Sequence, residues 1–197
     1  EVCSANSRLL VHSSIKDEMV GKLKERAEKI KQGNPLDPAT TMGAMVDVNH
    51  AKKVEEFLNV GKAEAKLITG GDRFSINDSD AFIQPTIFAD VSEDATIARD
   101  EIFGPVLAVQ TFDTEDEAIK MANKSVYGLA ASVWTSDLAR AMDLSDKLHV
   151  GTVSVNTVDA LSAMTPFGGM KQSGFGRDLS IHSFDKYTAL KTIWVKY

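Results

Sequence analysis

The sequence predicts an α/β fold, a largely parallel sheet flanked by helices. Two observations carry this. Across residues 105–156, short apolar runs alternate with capped amphipathic segments in the order strand-helix-strand-helix-strand, with short links. Parallel strands joined by right-handed helical crossovers satisfy that order. The composition, 43% hydrophobic and 25% charged over 197 residues, is that of an ordinary globular domain. A chain of this size buries roughly 70% of its unfolded surface and needs no disulfide staple.

The elements follow in order. Residues 14–33 predict the first helix, because Ile15, Met19, Leu23, Ala27 and Ile30 recur at steps of four and three and so share one face. Ser14 reads as its N-cap, with Asp17 at capping-box spacing. Gly33 before Asn34-Pro35 reads as its stop. The basic residues of this stretch are interleaved with Asp17, Glu18, Glu25 and Glu28, which makes a solvated face. A second helix starts near Asp47 or Asn49 and turns Val54, Phe57 and Leu58 inward. Residues 65–69 read as a strand ended by Gly70-Gly71-Asp72, residues 73–80 as a polar surface loop, and Thr86–Ala89 as a short strand. Val106–Phe112 reads as a strand. Thr114 with Glu117 forms a capping box that opens a helix to about Asn123. Residues 129–135 read as a strand, Ser136 as the cap of a helix to about Lys147, and Thr152–Val155 as a further strand. No internal repeat or low-complexity linker divides the chain, so a single domain is expected. Residues 191–197 are β-branched and aromatic and read as a terminal strand, whose unpaired backbone invites another subunit's sheet.

With 22 basic and 28 acidic residues the net charge is −6 at pH 7. Nucleic acid is therefore not an expected partner, since phosphate binding needs a basic surface. No apolar run approaches the ~18 residues of a spanning helix, so no membrane association is expected. The chain opens Glu1-Val2-Cys3, with no Met and none of the features of a signal peptide.

Cys3 is the only cysteine, which excludes an internal disulfide and argues against a cysteine-based metal site. On its own it reads either as a small buried hydrophobe or as a nucleophile; its short neighbours Ser4, Ala5, Asn6 and Ser7 leave the sulfur accessible. His12, His50, His149 and His182 show no metal-ligand spacing, so no metal is expected. Residues 167–177 hold four glycines in eleven residues. They match neither a phosphate loop nor a dinucleotide fingerprint and read as a sharply turning loop where backbone approaches a ligand or another strand. Asp100-Glu101-Ile102-Phe103-Gly104-Pro105 reads either as a helix end with a Gly-Pro turn or as a carboxylate and a ring at a cleft edge. A carboxylate accepts from ribose hydroxyls, and a ring packs beside a planar heterocycle.

Four blocks, in order, give these residues a common context. Glu1-Val2-Cys3-Ser4-Ala5-Asn6-Ser7-Arg8 resembles a nucleophile block, and Gly33-Asn34-Pro35-Leu36-Asp37 a GNP turn. Glu101-Ile102-Phe103-Gly104-Pro105-Val106 resembles an EIFGP cofactor block. Pro166-Phe167-Gly168-Gly169, with Lys171-Gln172-Ser173-Gly174 and Gly176-Arg177, resembles a PFGG-K-SG-GR signature. Together they resemble the C-terminal part of the NAD(P)-dependent aldehyde dehydrogenase superfamily over essentially the whole chain, most closely the bacterial enzymes of the γ-glutamyl-aminobutyraldehyde type.

The resemblance implies roles. Cys3 would attack the aldehyde carbonyl, and its backbone N–H would help hold the oxyanion. Hydride would pass to the nicotinamide of NAD or NADP, leaving a thioester for water to cleave. Glu101 would accept from the nicotinamide ribose, and Phe103 would pack near the nicotinamide. His50 and Lys53 fall where the family sometimes touches the adenosine ribose. Phe167 would line the aldehyde tunnel, with Asp159 and Leu161 on the loop before it. Leu161 and Met164 make an aliphatic wall, which favours aliphatic aldehydes. Glu1 stands where many members have Gln. Residues 1–188 would be the catalytic domain, cut two residues before the nucleophile. Residues 189–197 would be an oligomerisation strand of a homodimer or homotetramer. The family's dinucleotide domain, catalytic base and oxyanion asparagine lie upstream of the nucleophile, so the chain alone is expected to be inactive. A cytoplasmic location is implied by the family and by a cysteine that must stay reduced. A CoA-acylating dehydrogenase and a non-catalytic assembly module of the same fold are the alternative readings.

Overall fold

Strand β1 (Arg8–His12) leads through a 3-10 turn, Ser13–Ile15, into helix α1 (Lys16–Glu28). There follow α2 (Val48–Glu64), β2 (Lys66–Thr69), β3 (Arg73–Ile76), β4 (Ser79–Ile83), β5 (Thr86–Ala89), α3 (Thr96–Arg99), β6 (Val106–Phe112) and α4 (Glu115–Asn123). These elements form one unit, Glu1–Ser125, and a second unit spans Val126–Tyr197. The second contains β7 (Tyr127–Gly128), β8 (Ala130–Val133), α5 (Leu138–Lys147), β9 (Thr152–Val155), β10 (Met170–Lys171) and a 3-10 segment, Ile181–Lys186. The structure is a computed structural model and describes residues 1–197. The fold class is α/β, as the strand-helix alternation predicts.

The first unit is organised by a four-stranded sheet in the order β1-β6-β5-β2. β6 runs parallel to β1, with Arg8 opposite Ala108 and Val11 opposite Thr111, and parallel to β5, with Thr86 opposite Val106. β2 joins the edge antiparallel to β5, with an irregularity between Leu67 and Thr69. The sheet is thus mixed, with its parallel part at the centre. Side chains of β6 alternate between faces. Val106 and Ala108 pack into one core with Val54 and Leu58 of α2 and with Ile97 of α3. Val109 packs into a second core with Val11, Val20 and Ile87, against which Met19, Leu23 and Ala27 of α1 lie. Coverage of both faces explains the near-continuous apolar run of β6. Leu58, Val54, Ile83 and Phe88 are completely shielded from solvent, and burial of each such side chain contributes roughly 1.5–3 kcal/mol.

Caps set the helix starts. The Asp47 carboxylate accepts from the His50 N–H at 2.7 Å and begins α2. Thr114 Oγ1 accepts from the Glu117 N–H at 3.3 Å, while Glu117 reaches back to the Asp113 N–H at 2.8 Å.

Several expectations are corrected. α1 is shorter than residues 14–33. Ser14 does not cap it, because its hydroxyl and N–H both engage His12 Nδ1 within the 3-10 turn. Nor does Gly33 end it, since the helix stops at Glu28 and Gly33 N–H bonds to Met42 O at 3.2 Å, beside an isolated bridge of Gln32 with Met42. Ile15 and Ile30 consequently stay exposed. The expected loop at residues 73–80 is a hairpin of β3 and β4, turned by Asn77 (φ 48°) and Asp78 (φ 64°); two left-handed residues make the turn that matches strand twist. Asp137, rather than Ser136, caps α5, accepting from the Arg140 N–H at 3.1 Å. β8 pairs in parallel with β9, with Ala130 opposite Thr152, and does not join the sheet of β6. Residues 191–197 form no strand within the chain and are exposed. No helix is long and apolar enough to cross a membrane.

Candidate active site

Cys3 lies in a turn closed by the Ala5 N–H bonding to Val2 O at 3.0 Å, and it is exposed. Ser4 beside it is buried. The turn is anchored from behind, because Ser7 O accepts from the Ala108 N–H of the central strand at 3.0 Å before β1 begins. Arg8, at the head of β1, donates to Ala122 O at 3.3 Å, and burial lowers its guanidinium's pKa from the ordinary value.

The block of residues 100–105 sits in the same unit, pressed onto α2. Ile102 is buried in the first core. A Cβ on Gly104 would stand 2.9 Å from both Val54 methyl carbons, so only glycine permits this approach. Burying Ile102 leaves its neighbours Glu101 and Phe103 on the exposed side. Phe103 takes a left-handed backbone, φ 55°, a conformation uncommon for a bulky side chain. Its carbonyl accepts from His50 Nε2 at 2.7 Å, and the two rings meet edge to face at 6.0 Å.

The first turn of α2 links this block to the cysteine turn. Both Glu1 carboxylate oxygens accept from the Val46 N–H, at 3.1 and 3.0 Å, and Glu1 Oε1 stands 3.6 Å from His50 Nε2. Glu1, which leads into the cysteine turn, therefore stands beside His50 and, through it, the Phe103 carbonyl. Lys53, one helical turn after His50, is exposed. Glu1 was only a departure from the family pattern in the sequence; its bond to a backbone N–H 45 residues away has no local signal. His50, expected at an adenosine ribose, has its Nε2 committed to a backbone carbonyl.

The remaining expected residues belong to the second unit. Asp159 (φ 51°) and Leu161 lie exposed on the segment after β9. Phe167 exchanges backbone hydrogen bonds with Asp178, at 2.9 and 2.7 Å. The glycine-rich segment approaches its own unit's backbone. A Cβ on Gly151 would fall 1.6 Å from Gly168 O, and one on Gly168 would fall 2.4 Å from Gly176 O. Arg177 Nη1 staples the turn by donating to Gly169 O and Gly176 O, at 2.9 and 2.8 Å. Ser173 Oγ accepts from the Gly128 N–H at 3.0 Å.

Known proteins resemble this chain in sequence and fold. The model of the aldehyde dehydrogenase family matches residues 1–193. The NADP/NAD-dependent aldehyde dehydrogenase PuuC of Escherichia coli is 47% identical over 195 residues, covering 99% of this chain and 39% of that protein. A betaine aldehyde dehydrogenase of Sinorhizobium fredii is 47% identical over 197 residues, covering 99% and 40%. Among solved structures, the aldehyde dehydrogenase KauB of Pseudomonas aeruginosa superposes with a TM-score of 0.95 at 47% identity, covering 100% of this chain and 40% of that one. The chain thus spans about 40% of the length of the curated relatives it matches. With the family model matching nearly the whole chain, the chain belongs to the aldehyde dehydrogenase family.

Proposed function

We propose that this chain supplies the nucleophile and the nicotinamide-side contacts of an enzyme that oxidises an aliphatic aldehyde to a carboxylic acid with NAD or NADP. The observation that supports it most is the exposed Cys3, two residues from the Glu1 carboxylate that stands beside His50, which in turn holds the Phe103 carbonyl. An exposed carboxylate at Glu101 and a presented ring at Phe103 suit a ribose and a nicotinamide.

The Cys3 thiolate adds to the aldehyde carbon, forming a C–S bond and an alkoxide, and the Cys3 N–H donates to that oxygen. The oxidised nicotinamide, when bound, supplies the hydride acceptor. Loss of hydride from the carbon leaves a thioester on Cys3. Water cleaves it, releasing acid and restoring the thiol. Glu101 holds the ribose and Phe103 the nicotinamide edge, while Phe167, Leu161 and Asp159 are assigned to the aldehyde. Lys53 is assigned to the cofactor's ribose. Residues 1–188 serve catalysis, and residues 189–197 pair with a neighbouring subunit of a homodimer or homotetramer. The 197-residue chain alone is expected not to turn over, because no residue of it is assigned as the catalytic base. A reducing compartment such as the cytoplasm keeps Cys3 a thiol.

The test uses the whole protein with an aliphatic aldehyde and NAD or NADP, following cofactor reduction and acid release. We expect turnover without added CoA, and a loss of at least roughly a thousandfold in Cys3→Ala. A normal rate in Cys3→Ala, or a strict requirement for CoA, would overturn the reading.

A further inference from the structure

We propose that His50 is a positioning residue, one that sets the cofactor block by holding the Phe103 carbonyl. The proposal rests on the reading of Glu101 and Phe103 as nicotinamide-side contacts. The Phe103 backbone is left-handed, at φ 55°, and a bulky residue keeps such a conformation only where its surroundings enforce it. Ile102 is pinned in the core on one side, and Gly104 is pinned against Val54 on the other. The Phe103 peptide between them is fixed from α2, where His50 Nε2 meets Phe103 O at 2.7 Å. A carbonyl only accepts, so Nε2 carries the hydrogen and donates.

His50 is itself fixed. Its own N–H is held by the Asp47 cap at 2.7 Å. Its ring packs edge to face on the Phe103 ring. Glu1 Oε1 stands 3.6 Å from the same Nε2, and Glu1 is two residues from Cys3. His50 therefore stands between the cysteine turn and the cofactor block, and it acts on the cofactor through Phe103. Losing it leaves the Phe103 carbonyl unheld and the Glu101 and Phe103 side chains poorly aimed.

The test has two arms. In the 197-residue chain without cofactor, the Phe103 carbonyl is labelled with carbon-13 and its resonance followed by NMR in wild type, His50→Ala and His50→Gln. The hydrogen-bonded position should be lost in the alanine variant and kept in the glutamine variant, whose amide N–H reaches the same oxygen. In the whole enzyme, His50→Ala should raise the KM for the dinucleotide roughly tenfold, the worth of one hydrogen bond, with kcat and the aldehyde KM little changed. His50→Gln should restore it. A carbonyl resonance unmoved by His50→Ala, or a KM defect that His50→Gln does not repair, would overturn the proposal. Whole protein that oxidises no aldehyde with either dinucleotide would instead sink the functional reading, and with it the cofactor half of this proposal. The carbonyl arm judges the His50–Phe103 contact in either case.

Discussion

The two units bury their apolar residues very differently. Glu1–Ser125 holds both hydrophobic cores, one packed between the sheet and α2 with α3, the other between the sheet and α1. In Val126–Tyr197 only Val133 and Ala141 are buried hydrophobics, while Trp134, Leu138, Phe175, Leu190, Trp194 and Tyr197 are exposed. The second unit does show close backbone packing, with Gly151 against Gly168 O and Gly168 against Gly176 O. The first unit is rich in side-chain burial and the second has little of it. An average composition hides this, because apolar residues in the second unit do not translate into a core.

The comparison can be broken at several points, and urea denaturation of the chain reads each. The largest effect is expected for Phe88→Ala in the first core, which removes a fully buried ring and should cost about 3–5 kcal/mol. Next comes Gly151→Ala in the second unit. Its Cβ has no room beside Gly168 O, the backbone must shift, and the cost should be about 1–3 kcal/mol. Leu190→Ala, at a fully exposed position, should change stability by no more than about 0.5 kcal/mol. A Leu190 effect as large as that of Phe88 would mean that the second unit has a core after all.

The smallest effect is electrostatic. Lys124 binds Asp94 at 3.0 Å and Glu93 at 3.1 Å on the surface of the first unit. The hydrogen bond from Lys124, aided by its charge, holds the Asp94 carboxyl below its ordinary value. A carboxyl depressed in the folded state stabilises fully above its unfolded pKa, and that contribution fades as pH falls through the lower folded value. Lys124→Met should therefore flatten the acid limb of the stability profile slightly, and added salt should shrink the difference. An unchanged acid limb at low salt would contradict this.

Local signals made part of this legible. The limits of β6 and β9 and the Thr114 cap of α4 follow from apolar runs and a capping box, and the structure keeps all three. Where a side chain had a choice of partner, the sequence misled. Ser14 bonds His12 rather than capping α1, and the Asn77-Asp78 turn lies hidden inside a polar stretch that alternates too weakly to read as strands. Pairing between distant strands is not local, so the separation of β8 from β6 could not be read from their helix linkage. At the site, Cys3, Glu101 and Phe103 stood out through their blocks. The Glu1–Val46 and His50–Phe103 bonds span 45 and 53 residues and appear only once the chain is folded.

The central claim is that Cys3 carries the acyl group. Whole protein mixed with an aliphatic aldehyde and NAD or NADP, quenched in acid within a turnover and digested, should yield a Cys3 peptide heavier by the acyl group of that aldehyde, and this adduct should be absent without dinucleotide. Turnover with an unmodified Cys3 peptide, or the same adduct formed without dinucleotide, would contradict the account.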